Sequence, residues 1–249
     1  MKRFALIGFP LGHSFSKSYF QAKFEREGLS ECQYENIEIE NESQLRQFIN
    51  EATFDGVSVT IPWKEKAYNA LTDLSEESRA IGSINVLKKM PEGHYKGYNT
   101  DCIGFRETLR PLLKPWHTSA LILGDGGVTK AVSYVFNKLE IDYQIASRNP
   151  EGKPNRISYN TIREIDVRNA PIIINCTPVG MHPNIHLFPD IPYSGIDKFH
   201  LLIDLIYNPT ETLFLKKGME QGAMTKNGYD MLVRQAEESW KIWNNNELK

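Results

Sequence analysis

The chain has 249 residues, 41% of them hydrophobic and 24% charged, so it can bury a core and disorder is not expected. Twenty-nine Lys and Arg against 31 Asp and Glu leave a net charge of −2. That balance exerts no long-range pull on polyanions, which argues against nucleic acid or an anionic membrane as the main partner. Cys32, Cys102 and Cys176 show no CxxC spacing, so neither a disulfide framework nor a zinc site is expected, and no metal. The first apolar run, FALIGF, is far shorter than the about 20 residues of a membrane span. Nothing after it reads as a cleavage site, and a cytoplasmic protein is expected.

In chain order, Phe4–Gly8 reads as a first strand and leads into Gly8-Phe9-Pro10-Leu11-Gly12-His13-Ser14-Phe15-Ser16. Ser14 and Ser16, ahead of a helix at Lys17–Glu27, suit either the binding of a carboxylate or the capping of that helix. A strand at Tyr34–Ile39, a helix at Glu42–Ala52 and a strand at Gly56–Thr60 follow, the last running through Ile61-Pro62-Trp63 to a helix at Lys64–Leu71. Lys64, just past a strand end, is expected to point into the same crevice as the two serines. Reduction of a carbonyl needs a proton at oxygen as hydride reaches carbon, and a positioned ammonium supplies it or holds the oxyanion. The plain alternative is a solvated lysine. A strand at Ser83–Leu87 precedes Gly97-Tyr98-Asn99-Thr100-Asp101, where Asp101 either pairs with Lys64 or caps a helix at Cys102–Leu113.

Pro111 and Pro115 then break the pattern, and a fresh strand, Ala120–Gly124, enters Gly124-Asp125-Gly126-Gly127 and a helix at Val128–Leu139. Glycines allow a sharp turn and close approach of a diphosphate, and the helix N-terminus offers it free N–H groups. Thr129 occupies the third glycine position, so a simple tight turn is the competing reading. The next strand, Tyr143–Ser147, ends at Arg148, about 20 residues past the turn, where NAD-binding folds place an acidic residue on the ribose hydroxyls. A guanidinium there favours a 2′-phosphate, and hence NADP, with Lys153 a candidate second cation of the pocket. Strands at Ile172–Cys176 and Leu201–Leu205 end in loops holding Thr177 and Tyr207, expected at the carboxyl edge where ligands bind. A helix at Thr212–Gln221 follows the second. The last helix, Tyr229–Trp243, has an apolar stripe that either closes the second half or packs on the first. Strands alternating with helices predict an α/β protein with mainly parallel sheets.

Taken together, GFPLGHSFS, VTIPWK, IGSIN, YNTD, LGDGG, ASR, NCTPVGM, LIYNPTET and NGYDMLVRQA, in this order along essentially the whole chain, resemble the shikimate dehydrogenase family. The resemblance implies an N-terminal α/β substrate domain with a mainly parallel sheet (residues 1–101, joined by the C-terminal helix 229–249) and a Rossmann-like NADP-binding domain (102–228). It implies reversible NADPH-dependent reduction of 3-dehydroshikimate to shikimate, with Lys64 and Asp101 as the catalytic pair. Ser14, Ser16, Thr60, Asn85, Tyr207 and Gln235 are then substrate contacts beside that pair. Gly124, Gly126, Gly127, Ser147, Arg148, Lys153, Thr177, Gly228 and Met231 are then cofactor contacts, in a monomer or homodimer. The chain departs from the family pattern at Lys17, where proline is usual, at Asp125 and Val128 in the glycine turn, and at Ser147, where asparagine is common. A quinate/shikimate dehydrogenase with broader cofactor use is the nearest alternative, and Arg148 argues against its NAD-preferring form. A non-catalytic nucleotide sensor is the alternative of another class, and the retention of both Lys64 and Asp101 argues against it. A histidine-based dehydrogenase is a weaker option: His13 reads as a packing residue, and Pro183 breaks any helix that would align His182 with His186.

Overall fold

The computed structural model describes residues 1–12 and 15–244. The chain forms two compact units, one of residues 1–103 with 235–249 and one of residues 104–234. The first contains β1 (Lys2–Gly8), α1 (Phe15–Glu27), β2 (Cys32–Glu38), α2 (Glu42–Glu51), β3 (Gly56–Val59), α3 (Lys64–Ala70), β4 (Asp73–Leu74), α4 (Glu76–Ile81), β5 (Val86–Lys89) and β6 (Tyr95–Tyr98). Then α5 (Asp101–Leu109) runs into the second unit, which contains β7 (Ser119–Leu123), α6 (Gly127–Lys138), β8 (Asp142–Ser147), β9 (Arg156–Ser158), α7 (Glu164–Arg168), β10 (Ile172–Asn175), β11 (Leu201–Asp204), α8 (Leu213–Glu220) and β12 (Met224–Lys226). The final helix, α9 (Tyr229–Asn244), starts in the second unit and belongs to the first from Gln235 onward.

In the first unit the strand order is β2-β1-β3-β5-β6-β4. β1 is parallel to β2 and β3, and β4 to β6, but β5 runs antiparallel to both β3 and β6. Alternation along the strands sends Ala5 and Ile7 to one face, with Leu45 and Ile49 of α2 and Ala67 of α3, and Phe4 and Leu6 to the other, with Phe20 and Phe24 of α1. Trp243 of α9 joins that second face. Its indole Nε1 donates to the Leu87 carbonyl at 3.0 Å and its ring lies 5.0 Å from that of Phe4. Position 56 must be glycine for this, since a Cβ there would overlap the Trp243 ring. The apolar stripe of the last helix is thus spent on the first sheet.

In the second unit the order is β12-β11-β10-β7-β8-β9 and every neighbouring pair is parallel. The order reverses beside β7, which lies between β10 and β8, so a crevice is expected outside the carboxyl ends of β7 and β10. Leu121, Leu123, Ile173 and Leu202 fill one face with Val167 of α7 and Phe214 of α8.

The α/β class holds in both units. The strand read at Ser83–Leu87 instead begins at Val86: the Ser83 carbonyl is taken by the Asn99 side chain, which donates to it at 3.0 Å, while the Asn85 backbone still bonds the Val59 N–H at 2.8 Å and the Tyr98 carbonyl at 3.0 Å. The helix read to Leu113 ends at Leu109 in a 3₁₀ turn over Arg110–Leu112, since Pro111 lacks the N–H needed to continue the ladder. Among the described residues no helix is long and apolar enough to cross a membrane.

Candidate active site

The antiparallel strand builds the polar centre of the first unit. β1 and β3 are parallel, so the segments after Gly8 and Val59 leave the sheet at one end. Because β5 is antiparallel to β3, its beginning lies at that same end, and because β6 reverses again, so does its finish. Lys64 after β3, Asn85 before β5 and Asp101 after β6 therefore converge. The Lys64 Nζ lies 2.6 Å from Asp101 Oδ2, and Asn85 Nδ2 donates to Asp101 Oδ1 at 3.0 Å. Asn85 Nδ2 also lies 3.0 Å from Thr100 Oγ1 and 3.4 Å from Gln235 Oε1 on α9. Thr100 Oγ1 is 3.1 Å from Ser239 Oγ, which donates to the Gln235 carbonyl at 2.6 Å. The side chains of Lys64 and Asp101 are 17% and 9% exposed, so the pair is shielded yet reachable from solvent. The cap of α5 falls to Asn99, whose Oδ1 accepts from the Cys102 N–H at 3.2 Å, and Asp101 keeps both carboxylate oxygens for Lys64 and Asn85.

The other expected substrate contacts are placed as follows. Ser14, with His13, lies outside the described residues. Ser16 is in the first turn of α1, where it hydrogen-bonds the buried Tyr34 phenol, which also donates to Ser58 Oγ at 2.9 Å. Thr60 follows β3, its N–H donating to the Ile7 carbonyl at 2.9 Å. A Cβ at Gly8 would come within 2.5 Å of the Thr60 methyl, so glycine lets the loops after β1 and β3 close together. Tyr207, in the second unit, is half-buried, and burial pushes its phenol above the ordinary tyrosine range.

In the second unit β7 is followed by Gly124, whose φ of +103° suits glycine and whose close neighbour is Thr177 after β10. A Cβ at Gly124 would lie 2.7 Å from the Thr177 methyl. Gly126 is the N-cap of α6, has no side-chain cap, and would find nothing within 4 Å of an added Cβ. Gly127 opens the helix. Thr129, in the third glycine position, is buried and ties the turn together, its hydroxyl donating to the Gly124 carbonyl at 2.9 Å. Open space over a helix N-terminus fits a diphosphate. At the end of β8, Ser147 is buried with its hydroxyl accepting from the Asn149 N–H at 3.2 Å, and Arg148 is exposed with no carboxylate on it among the described residues. These residues fit a phosphorylated adenosine. Lys153 is otherwise engaged: its Nζ lies 3.0 Å from Asp125 Oδ2, and Arg156 holds Asp125 Oδ1 at 3.0 Å. Partial burial pushes the Asp125 carboxyl up, but hydrogen bonds and charge from Arg156 and Lys153 outweigh it and hold the group below the usual range.

A further network, unread in the sequence, sets the loops after β10 and β11. Asn175 Nδ2 donates to Asp204 Oδ1 at 3.1 Å, while Asn175 Oδ1 accepts from the Thr177 hydroxyl at 2.6 Å and its N–H at 3.0 Å. Asp204 also accepts from Thr212 Oγ1 at 2.6 Å and from the Ile206 N–H at 3.0 Å. Burial pushes its carboxyl up to about 6 despite those donors. Gly228 is buried with its N–H on the Ile206 carbonyl at 3.0 Å, and a Cβ there would overlap the Leu205 carbonyl, a packing reason for glycine independent of any ligand. Met231 is buried in the first turn of α9. Among the described residues no three His, Cys, Asp or Glu side chains gather as a metal site would require.

Residues 6–87 match the family model described as the shikimate dehydrogenase substrate binding domain. The chain is 36% identical over 259 residues to the shikimate dehydrogenase (NADP(+)) of Methanococcus maripaludis strain C7, covering 97% of this chain and 91% of that one. It is 37% identical to the protein of the same name from Syntrophomonas wolfei, covering 92% and 85%. Among solved structures, shikimate 5-dehydrogenase from Thermus thermophilus in complex with NADP(H) and shikimate matches with a TM-score of 0.86 at 29% identity, covering 98% and 94%.

Proposed function

Since the chain belongs to the shikimate dehydrogenase family, we propose that it interconverts 3-dehydroshikimate and shikimate with NADP, a step in making aromatic amino acids. The observation that carries this reading is the Lys64–Asp101 pair at 2.6 Å, with Asn85 on the carboxylate's other oxygen. Bound NADP supplies or takes up the hydride. The residues of the chain do the rest.

In the reducing direction the Lys64 ammonium gives its proton to the carbonyl oxygen as that oxygen gains charge, and in the oxidising direction the same nitrogen takes it back. Asp101 orients the ammonium and accepts from a neighbouring ring hydroxyl; Asn85 fixes the plane of the carboxylate for that double duty. Ser16, once its hydroxyl turns from the Tyr34 phenol, binds the acid's carboxylate with Ser14 through hydroxyl donors, and Thr60, Tyr207 and Gln235 complete the substrate contacts. Gly124, Gly126 and Gly127 admit the diphosphate, with Thr177, Gly228 and Met231 toward the nicotinamide end and Ser147 and Arg148 at the adenosine end. Arg148, with no internal anion to neutralise among the described residues, favours a 2′-phosphate over a bare ribose, and Lys153 can swing from Asp125 to join it.

The test is shikimate-dependent reduction of NADP by the purified full chain. Turnover is expected, with kcat/KM at least about tenfold higher for NADP than for NAD, the size of one lost charge-assisted contact. Shikimate is expected to be preferred over quinate. No turnover, or a preference for NAD, contradicts the reading.

A further inference from the structure

Asp125 is an unusual neighbour for a diphosphate. It lies between Gly124 and Gly126, where the turn leaves open space, and a bare carboxylate there would repel the ligand by like charge. Its two partners differ in firmness. Lys153 is half exposed, with 51% of its side chain open to solvent, whereas Arg156 is 22% exposed and anchored at both ends. Arg156 sits in β9 opposite Ile145 of β8, gives Nη1 to the Pro154 carbonyl at 2.9 Å and Nη2 to Asp125 at 3.0 Å. Among the described residues its Nε is buried with no partner, so the guanidinium accepts the loss of one hydrogen bond to hold this orientation. When Lys153 turns toward a 2′-phosphate, as proposed above, Arg156 alone remains on Asp125.

We infer that Arg156 is a positioning residue of the cofactor site, holding the Asp125 carboxylate neutralised and turned toward β9 so that the glycine turn accepts a diphosphate. The role rests on the reading of that turn as the nucleotide site. It acts on the part common to NADP and NAD, which separates it from Arg148, whose effect falls on the 2′-phosphate alone. The low proton affinity of Asp125 agrees, since only an ionised carboxylate needs such a partner at neutral pH.

The experiment is calorimetric titration of the full chain with NADP+ and with NAD+, in the absence of substrate, for wild type, Arg156→Ala, Asp125→Asn and Asp125→Asn/Arg156→Ala. Arg156→Ala is expected to raise both dissociation constants by about tenfold or more, because it leaves an uncompensated carboxylate beside the ligand. The double variant is expected to return to within about threefold of wild type, a non-additivity that lost packing alone would not produce. Unchanged binding by Arg156→Ala, or weak binding that persists in the double variant, overturns the inference. Should Arg156→Ala fail to fold, Asp125→Asn decides: tighter binding of both nucleotides supports the role, and equal or weaker binding overturns it. A wild-type chain that binds neither nucleotide contradicts the nucleotide-site reading itself, a result distinct from those.

Discussion

In the second unit every neighbouring pair of strands is parallel, so the loops after β7, β8, β10 and β11 leave one edge and a ligand site there follows from chain direction alone. In the first unit the polar edge of its own sheet is assembled from both chain directions. Lys64 reaches it from the end of a parallel strand, but Asn85 and Asp101 reach it because β5 reverses the sheet. The glycine turn can therefore be read as a local motif, whereas the Lys64–Asn85–Asp101 cluster depends on a sheet reversal and on a helix from the far end of the chain, since Gln235 and Ser239 close its back.

This contrast predicts different sensitivities. The largest effect is expected from Trp243→Ala, which removes a ring seated on Gly56 and Phe4 and deletes the hydrogen bond to Leu87. A loss of about 3–5 kcal/mol in urea unfolding is expected. A loss under about 1 kcal/mol would mean that α9 does not brace the first sheet.

Asp204→Asn probes the second unit through pH. A carboxyl raised to about 6 when folded, against about 4 unfolded, binds its proton more tightly in the native state. Its contribution to stability is therefore fully present below about pH 4 and lost as pH rises to about 6, by up to about 3 kcal/mol. Unfolding curves from pH 4 to 7 should show a shallower fall in the asparagine variant; an identical pH profile would remove burial of Asp204 as the cause.

Asn85→Ala tests whether the first cluster is a unit. It strips a donor from Asp101 and Thr100 and the acceptor from the Thr100 N–H, so a cost of about 1–3 kcal/mol in stability is expected. A fall in kcat of at least about tenfold is also expected, from misorientation of the pair. Full activity would show that Asp101 needs no such support. The smallest effect, about tenfold, is expected from Arg148→Ala on the dissociation constant of NADP with that of NAD unchanged. A parallel loss for both nucleotides would move Arg148 away from the 2′-phosphate.

The same contrast explains what the sequence discloses. β7, β10 and β11 are apolar runs bounded by turn residues, and β8 carries Ile145 and Ala146 after an exposed Gln144; the observed ends of all four fall within a residue of those read from pattern. β6 escapes such a reading: Lys96 and Gly97 interrupt it, and its glycine is there because a Cβ would press to 2.8 Å on Leu71 and Leu74, a tertiary reason with no local signal. β9 and β12 have three residues each and lie at the sheet's edges, too short for a period to show. Thr129 reads as a defect in the glycine pattern, yet its hydroxyl closes the turn on Gly124. Asp125 likewise needs Arg156, distant in sequence, to make sense of its charge. Thr100, Ser239 and Asp204 carry no pattern of their own and become visible as contributors only through their partners.

The most direct test of the whole account is Lys64→Ala under saturating NADP and shikimate. With the ammonium gone and the ligand contacts kept, kcat should fall by about 10²–10⁴ while the dissociation constants of shikimate and NADP change by less than about tenfold. A variant that turns over at the wild-type rate would contradict the assignment of the proton to Lys64.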